Sequence, residues 1–186
     1  MAQERRALRG HVPTAAAGIA AIDRLPSAKS LNLAIGLPLR NQAALASFLR
    51  ELYDPASPNY RRYLTPEQFT ERFGPTEADY QTVIAFATAN GLAVTGTHSD
   101  RMLLNVAGSV ASVESAFRLT LRVYPHPTEA RTFFAPNTEP SVESNLPIQD
   151  ISGLSDFQLP RPKLRKPVPL ARADRPTDLP PSEASY

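Results

Sequence analysis

The stretch LAVTGTHSDRMLLNVAGSVASVESAFRLTLRVY, Leu92 to Tyr124, decides the fold. Leu92 to Thr97 and Arg101 to Val106 read as two strands, with His98-Ser99-Asp100 as the hairpin between them. Ser109 then caps a helix that runs to about Arg118 and turns Val110, Val113, Ala116 and Phe117 inward. Leu119 to Tyr124 alternates apolar and polar residues and predicts another strand, and Arg131 to Ala135 a fifth, short one.

Upstream, Leu31 to Leu37 places Leu31, Leu33, Ile35 and Leu37 on one face of a strand, and Pro38 closes it. Asn41 is the expected cap of a helix to Tyr53 with an apolar stripe of Leu45, Phe48, Leu49 and Leu52. Thr65-Pro66-Glu67-Gln68 carries a capping box, and Phe69 and Phe73 lie one turn apart before Gly74-Pro75 stops that helix. Thr76 opens another, with Tyr80, Val83, Ile84 and Ala87 on one face and Asn90-Gly91 as a left-handed ending. The order β-α-(αα)-β-β-α-β predicts an α+β chain. The fold expected is a ferredoxin-like α/β sandwich, an antiparallel sheet with helices on one face.

Around this core the composition changes. The chain has 186 residues, 42% hydrophobic and 20% charged, enough for one core and too few charges for a polyelectrolyte. It holds 19 Pro; none lies between Pro75 and Pro125, and seven lie from Pro160 to Pro181. Three parts are therefore expected: an N-terminal tail over 1–30, a folded unit over 31–158, and an extended, Pro-rich basic linker over 159–186. The middle part carries nine Lys or Arg against thirteen Asp or Glu, so the basic pI of about 9.1 comes from the ends. A basic nucleic-acid face on the core is not expected. Ala15 to Ile22, after Arg5, Arg6 and Arg9, loosely imitates a signal peptide but is too short for a spanning helix.

Few residues suggest chemistry. Cys is absent, so there is no thiol nucleophile and no Cys-ligated metal, and His11, His98 and His126 are too far apart in sequence for a His-rich site. Ser152-Gly153-Leu154-Ser155 only superficially resembles a nucleophile turn; a loop after the last core segment is the better reading. Glu67 with Glu71, and Glu77 with Asp79, are paired carboxylates, but in a first turn they serve the helix dipole. Tyr53, Tyr60, Tyr63, Phe69, Phe73 and Tyr80 follow helix or loop spacing and are expected in packing rather than as base-stacking rings.

Several segments together resemble a known family. These are Leu33-Ala-Ile-Gly-Leu-Pro-Leu-Arg-Asn41, Leu52-Tyr-Asp-Pro-Ala-Ser-Pro-Asn-Tyr-Arg-Arg-Tyr-Leu-Thr-Pro-Glu-Gln-Phe69 and Phe73-Gly-Pro-Thr-Glu77. Phe133-Phe-Ala-Pro136, Glu139-Pro-Ser141 and Ile151-Ser-Gly-Leu154 extend the likeness, which covers about Leu31 to Pro162. They look like the activation prodomain, pro-kumamolisin type, of the sedolisins or serine-carboxyl peptidases.

The resemblance implies a ferredoxin-like prodomain packed on a peptidase domain, acting as intramolecular chaperone and inhibitor, with a linker that enters the active-site cleft. It also implies acid-triggered autoprocessing in that linker, where Pro160, Lys166, Arg172 and Arg175 are the candidate positions, and an extracellular destination. The family's catalytic Ser, Glu and Asp and its calcium site belong to the peptidase domain. No catalytic, cofactor-binding or metal-binding residue carries over to this chain, and no cofactor is expected in it. The expected partner is a sedolisin-type peptidase domain, in cis or in trans, with neither nucleic acid nor membrane. Two other readings stay open: a stand-alone inhibitor or interaction domain acting in trans, and nucleic-acid binding by the basic residues from Arg161 to Arg175, which lack interleaved aromatics.

Overall fold

A computed structural model describes residues 4–159. The elements in chain order are β1 (Arg5–Ala7), a 3-10 turn (Thr14–Gly18), β2 (Asp23–Arg24), β3 (Ser30–Gly36), α1 (Gln42–Tyr53), α2 (Pro66–Phe73), α3 (Glu77–Ala89), β4 (Ala93–Thr97) and β5 (Leu103–Ser109). Then come α4 (Val110–Phe117), β6 (Leu121–Pro125), β7 (Thr132–Pro136), β8 (Ser141–Glu143) and β9 (Asp150–Ser152).

The main sheet has the order β4-β5-β3-β9 and is antiparallel throughout. With β3, β4, β5 and β9 taken as its four strands, this is the ferredoxin-like arrangement. Leu33 lies opposite Val106, and Ile35 lies between Leu104 and Ile151. All five are buried, because alternation in a strand sends every second side chain to one face. α3 covers that face with Tyr80, Val83 and Ala87, and α4 with Val110, Val113, Ala116 and Phe117.

The strand after α4 differs from expectation. Residues 121–125 form a strand, but β6 does not join the main sheet; it pairs with β2 and β7 in a three-stranded sheet. The fourth place beside β3 goes to β9, whose alternation is too short to read from sequence. The N-terminal boundary also moves. Residues read as a tail pack on the core: β1 pairs with β8, β2 with β6, and Leu8, Ala16 and Leu25 are buried. The Arg5 guanidinium donates to the Ala116 and Ser141 carbonyls, and that of Arg6 to the Leu146 and Ile148 carbonyls. These cations serve the backbone, a use that charge counting does not see.

Glu114 ties α4 to the three-stranded sheet through β2 and β6. Its side chain is 8% exposed; one oxygen accepts from Leu121 N at 2.8 Å and the other from Arg24 Nη2 at 2.5 Å. The α1–α2 pair stands apart from the main core. Of the stripe Leu45, Phe48, Leu49 and Leu52, only Leu52 is buried, and the pair is held by Phe73 packed against Phe48 and Phe69 at 6.1 and 5.5 Å. Asn41 is not a side-chain cap. Its backbone is left-handed, with φ 51°, and its amide donates to Arg72 O at 3.3 Å, so it links α1 to α2.

Candidate docking surface and linker root

Among the described residues, one face of the main sheet carries no helix. The alternate residues of β3 and β5 form it as opposed pairs: Asn32 with Ala107, Ala34 with Asn105, and Gly36 with Leu103. They are half-buried or exposed. Asp150 and Ser152 extend the face along β9, and Asn105 Nδ2 lies 3.2 Å from the His98 ring. Side chains this short and mostly uncharged leave a flat surface that a folded partner approaches without displacing long chains. A second exposed apolar area lies on the α1–α2 pair, where Leu49 is 44%, Tyr53 69% and Tyr63 67% exposed. Both tyrosines, read from the sequence as packing residues, are exposed among the described residues.

Asp156 and Phe157, close to the last described residue, are anchored against the three-stranded sheet. The Arg131 guanidinium donates to Asp156 O at 3.1 Å and Phe157 O at 2.6 Å, while its Nε donates to Glu129 at 2.6 Å. Phe134 N donates to the Asp156 carboxylate at 2.6 Å. The Phe157 ring packs edge-on to Phe133 and stacks on His126, each at 4.9 Å between centroids. His126 Nδ1 in turn accepts from Glu129 N at 3.1 Å and Thr128 N at 3.3 Å. Gly153 makes the turn into this segment: its φ is +98°, and a Cβ there would meet Asn32 O at 2.5 Å. None of this anchor was read from sequence. Arg131, Asp156 and Phe157 lie 25 and 26 positions apart, and only the return of β7 beside β6 joins them.

Of the paired carboxylates, Glu67 and Asp79 serve helix starts. Glu67, at the start of α2, is held below the ordinary carboxylate range by its own backbone amide and then by the Thr65 hydroxyl. Asp79 completes the capping box of α3 with Thr76, whose hydroxyl lies 2.6 Å from it. Glu77 meets Gln81 Nε2 at 2.8 Å and Arg101 at 3.8 Å. Ser152 and Ser155 sit on either side of the Gly153 turn, with Ser152 Oγ donating to Asp150 and Ser155 Oγ accepting from Phe157 N. Among the described residues no group of three His, Asp or Glu is placed to hold a metal ion, and no helix is long and apolar enough to cross a membrane. The candidate processing positions Pro160, Lys166, Arg172 and Arg175 lie outside the described residues.

Fold and site together define a small α+β module which, among the described residues, leaves one sheet face without a helix and anchors Asp156 and Phe157. Residues 17–157 match the family described as "Pro-kumamolisin, activation domain", and the chain belongs to that family. It is 32% identical over 127 residues to xanthomonalisin of Xanthomonas sp. (strain T-22), covering 68% of this chain and 15% of that protein. It is 29% identical over 100 residues to sedolisin of Pseudomonas sp. (strain 101), covering 54% of this chain and 17% of that protein. The matched part of the chain thus spans less than a fifth of the length of these relatives.

Proposed function

We propose that this activation prodomain serves a sedolisin-type serine endopeptidase as folding template and inhibitor. The uncovered face of β3, β5 and β9 docks on the peptidase domain. Residues 155–159, anchored by Arg131 and Phe157, set the direction in which the following chain leaves for the active-site cleft. The observation that carries the reading is that anchor: three hydrogen bonds and two ring contacts fix the point of departure, and inhibition by a linker needs a fixed origin. Catalytic residues and a calcium ion reside in the peptidase domain, and autoprocessing removes the prodomain by cutting within residues 160–186. The enzyme works outside the cell in acid.

Release follows from titration of interface carboxylates. The unit over 31–158 carries a net charge of −4 from nine basic and thirteen acidic residues, and carboxylates that pair across an interface lose that contribution as pH falls through the carboxylate range. The test uses the cognate peptidase domain with its nucleophile removed. Refolding yield with and without the chain, and affinity from pH 7 to pH 3, are measured. Expected are a higher yield with the chain and an affinity that collapses in acid. An unchanged yield with no binding at pH 7 overturns the reading.

A further inference from the structure

We propose that His11, Glu139 and Asp150 form an acid-labile latch that ties the N-terminal strap to the edge strand β9. The His11 side chain is 6% exposed. Its ring lies between three parts of the chain: the strap itself, the loop before β8 that carries Glu139, and β9. Nδ1 is 3.0 Å from Leu8 O, which can only accept, so Nδ1 bears the proton. Nε2 is 3.1 Å from Ile151 N, which can only donate, so Nε2 offers its lone pair. In a neutral ring these two contacts select the Nδ1–H tautomer.

Two carboxylates face the ring. Asp150 Oδ1 is 3.1 Å from Nε2, and Glu139 Oε2 is 3.7 Å from Nδ1. Glu139 also accepts from Gly10 N at 3.0 Å and His11 N at 2.9 Å, so it holds the strap's backbone as well. The other residues that line the cleft beside the ring include Thr14, Ser155, Phe157 and Gln158, none of them charged.

Three protonation stages follow. With a neutral ring, Nε2 accepts from β9's backbone. When the ring gains a proton, Nε2 becomes a donor. The Ile151 bond is lost, but Nε2–H now points to Asp150 on the same strand, and the latch holds as an ion pair. When the pH falls further and both carboxylates take protons, a buried imidazolium has no anion beside it and the Ile151 N–H faces it unpaired. A buried, uncompensated charge is strongly unfavourable, so the strap separates from β9. The carboxylates' contribution is present while they are ionised and is lost once they take protons. The latch therefore survives mild acid and opens in stronger acid. It is a property of this chain's own fold, so it stands or falls separately from the proposed function; only its use in activation rests on that reading. Opening would loosen β9, where Asp150 and Ser152 border the uncovered sheet face.

The test is amide hydrogen exchange by NMR on the full chain at pH 7, 5 and 3, corrected for intrinsic rates. Protection at Leu8, whose N–H donates to Pro140 O, should fall about tenfold or more between pH 5 and 3, while Leu33 and Val106 keep theirs. His11→Gln, which cannot become a cation, should limit that fall to about threefold. The double variant Glu139→Gln with Asp150→Asn should bring the fall forward to between pH 7 and 5, because the buried ring then charges with no anion beside it. The same fall in His11→Gln as in wild type, or a double variant that opens no earlier, overturns the proposal. Should the variants not fold, nitrogen-15 spectra of the wild-type imidazole decide. His11 must show the Nδ1–H tautomer at pH 7 and be cationic before the strap opens; a ring still neutral at opening overturns the latch.

Discussion

The main sheet and the α1–α2 pair start from the same kind of sequence, amphipathic segments with clear apolar stripes, and end differently. On the sheet side Leu33, Ile35, Leu104, Val106, Val113 and Phe117 are at most 3% exposed. On α1 the stripe leaves Leu49 at 44%, with Tyr53 beyond it at 69%. An apolar stripe states what a segment can bury; whether it does depends on a second surface in reach. α3 and α4 have the sheet. Among the described residues α1 meets chiefly α2, eight residues long, which offers Phe73.

The largest expected contrast follows directly. Phe117→Ala should cost about 3–5 kcal/mol, because a fully buried ring leaves a cavity between α4 and the sheet. Leu49→Ala should stay within about 0.5 kcal/mol. Urea denaturation of both variants measures the difference. A Leu49→Ala cost near that of Phe117→Ala would show that α1 is covered in solution and would break the contrast.

Polar groups divide the same way. Glu114 is buried and bonded to Leu121 N, whereas Glu51 on α1 meets Asn59 in the open. Glu114→Ala should cost about 2–3 kcal/mol, mostly from the Leu121 N–H left without a partner, and Glu114→Gln should recover part of it. Glu51→Ala should change stability by less than about 0.5 kcal/mol. Equal effects in equilibrium unfolding would mean that Glu114 does not tie α4 to the three-stranded sheet.

The legibility of the sequence follows the same line. Local signals held: the Thr65 and Thr76 helix starts, the hairpin at residues 98–100, the Ser109 cap and the left-handed Gly91 at φ +73° are decided within a few residues. Signals that need a distant partner did not show. Three-residue β9 has no periodicity to read, and its place beside β3 depends on Ile151 meeting Ile35 across more than a hundred residues. Arg5 and Arg6 looked like charges of a tail because their acceptors are carbonyls, which every residue carries. The linker root stayed hidden for the same reason: Arg131 binds the backbone of residues 156 and 157.

The two capping boxes compare equal chemistry in unequal settings. Thr65 and Thr76 each accept from the amide three residues on, and each is answered by that residue's side chain. Replacing either by Ala should cost its helix about 1 kcal/mol. For Thr76→Ala the loss should appear in global unfolding, since α3 is part of the core. For Thr65→Ala it should appear mainly as faster hydrogen exchange within α2, with a smaller change in the global midpoint. Identical global losses would mean that the α1–α2 pair unfolds only with the sheet.

The smallest effect concerns Glu67, fully exposed in the first turn of α2. Its carboxyl is held below the ordinary range first by its own backbone amide and then by the Thr65 hydroxyl. A depressed carboxylate favours the folded helix at pH values above its ordinary range, and that support is lost as pH falls through the depressed value. Thr65→Ala removes the second cause and leaves the first, so the Glu67 titration should move upward without reaching that of a free side chain. Carbon-13 NMR of the Glu67 carboxyl from pH 6 to pH 2 measures it, with the α2 and α3 amides followed in the same samples. The α2 amides should shift with Glu67 and those of α3 should not, because this carboxylate acts on the helix end it caps and on no buried neighbour. A Glu67 titration identical in wild type and Thr65→Ala would remove the hydroxyl as a cause. Parallel shifts in α3 would show that acid reaches the core through the α1–α2 pair, which the sparse packing between them argues against.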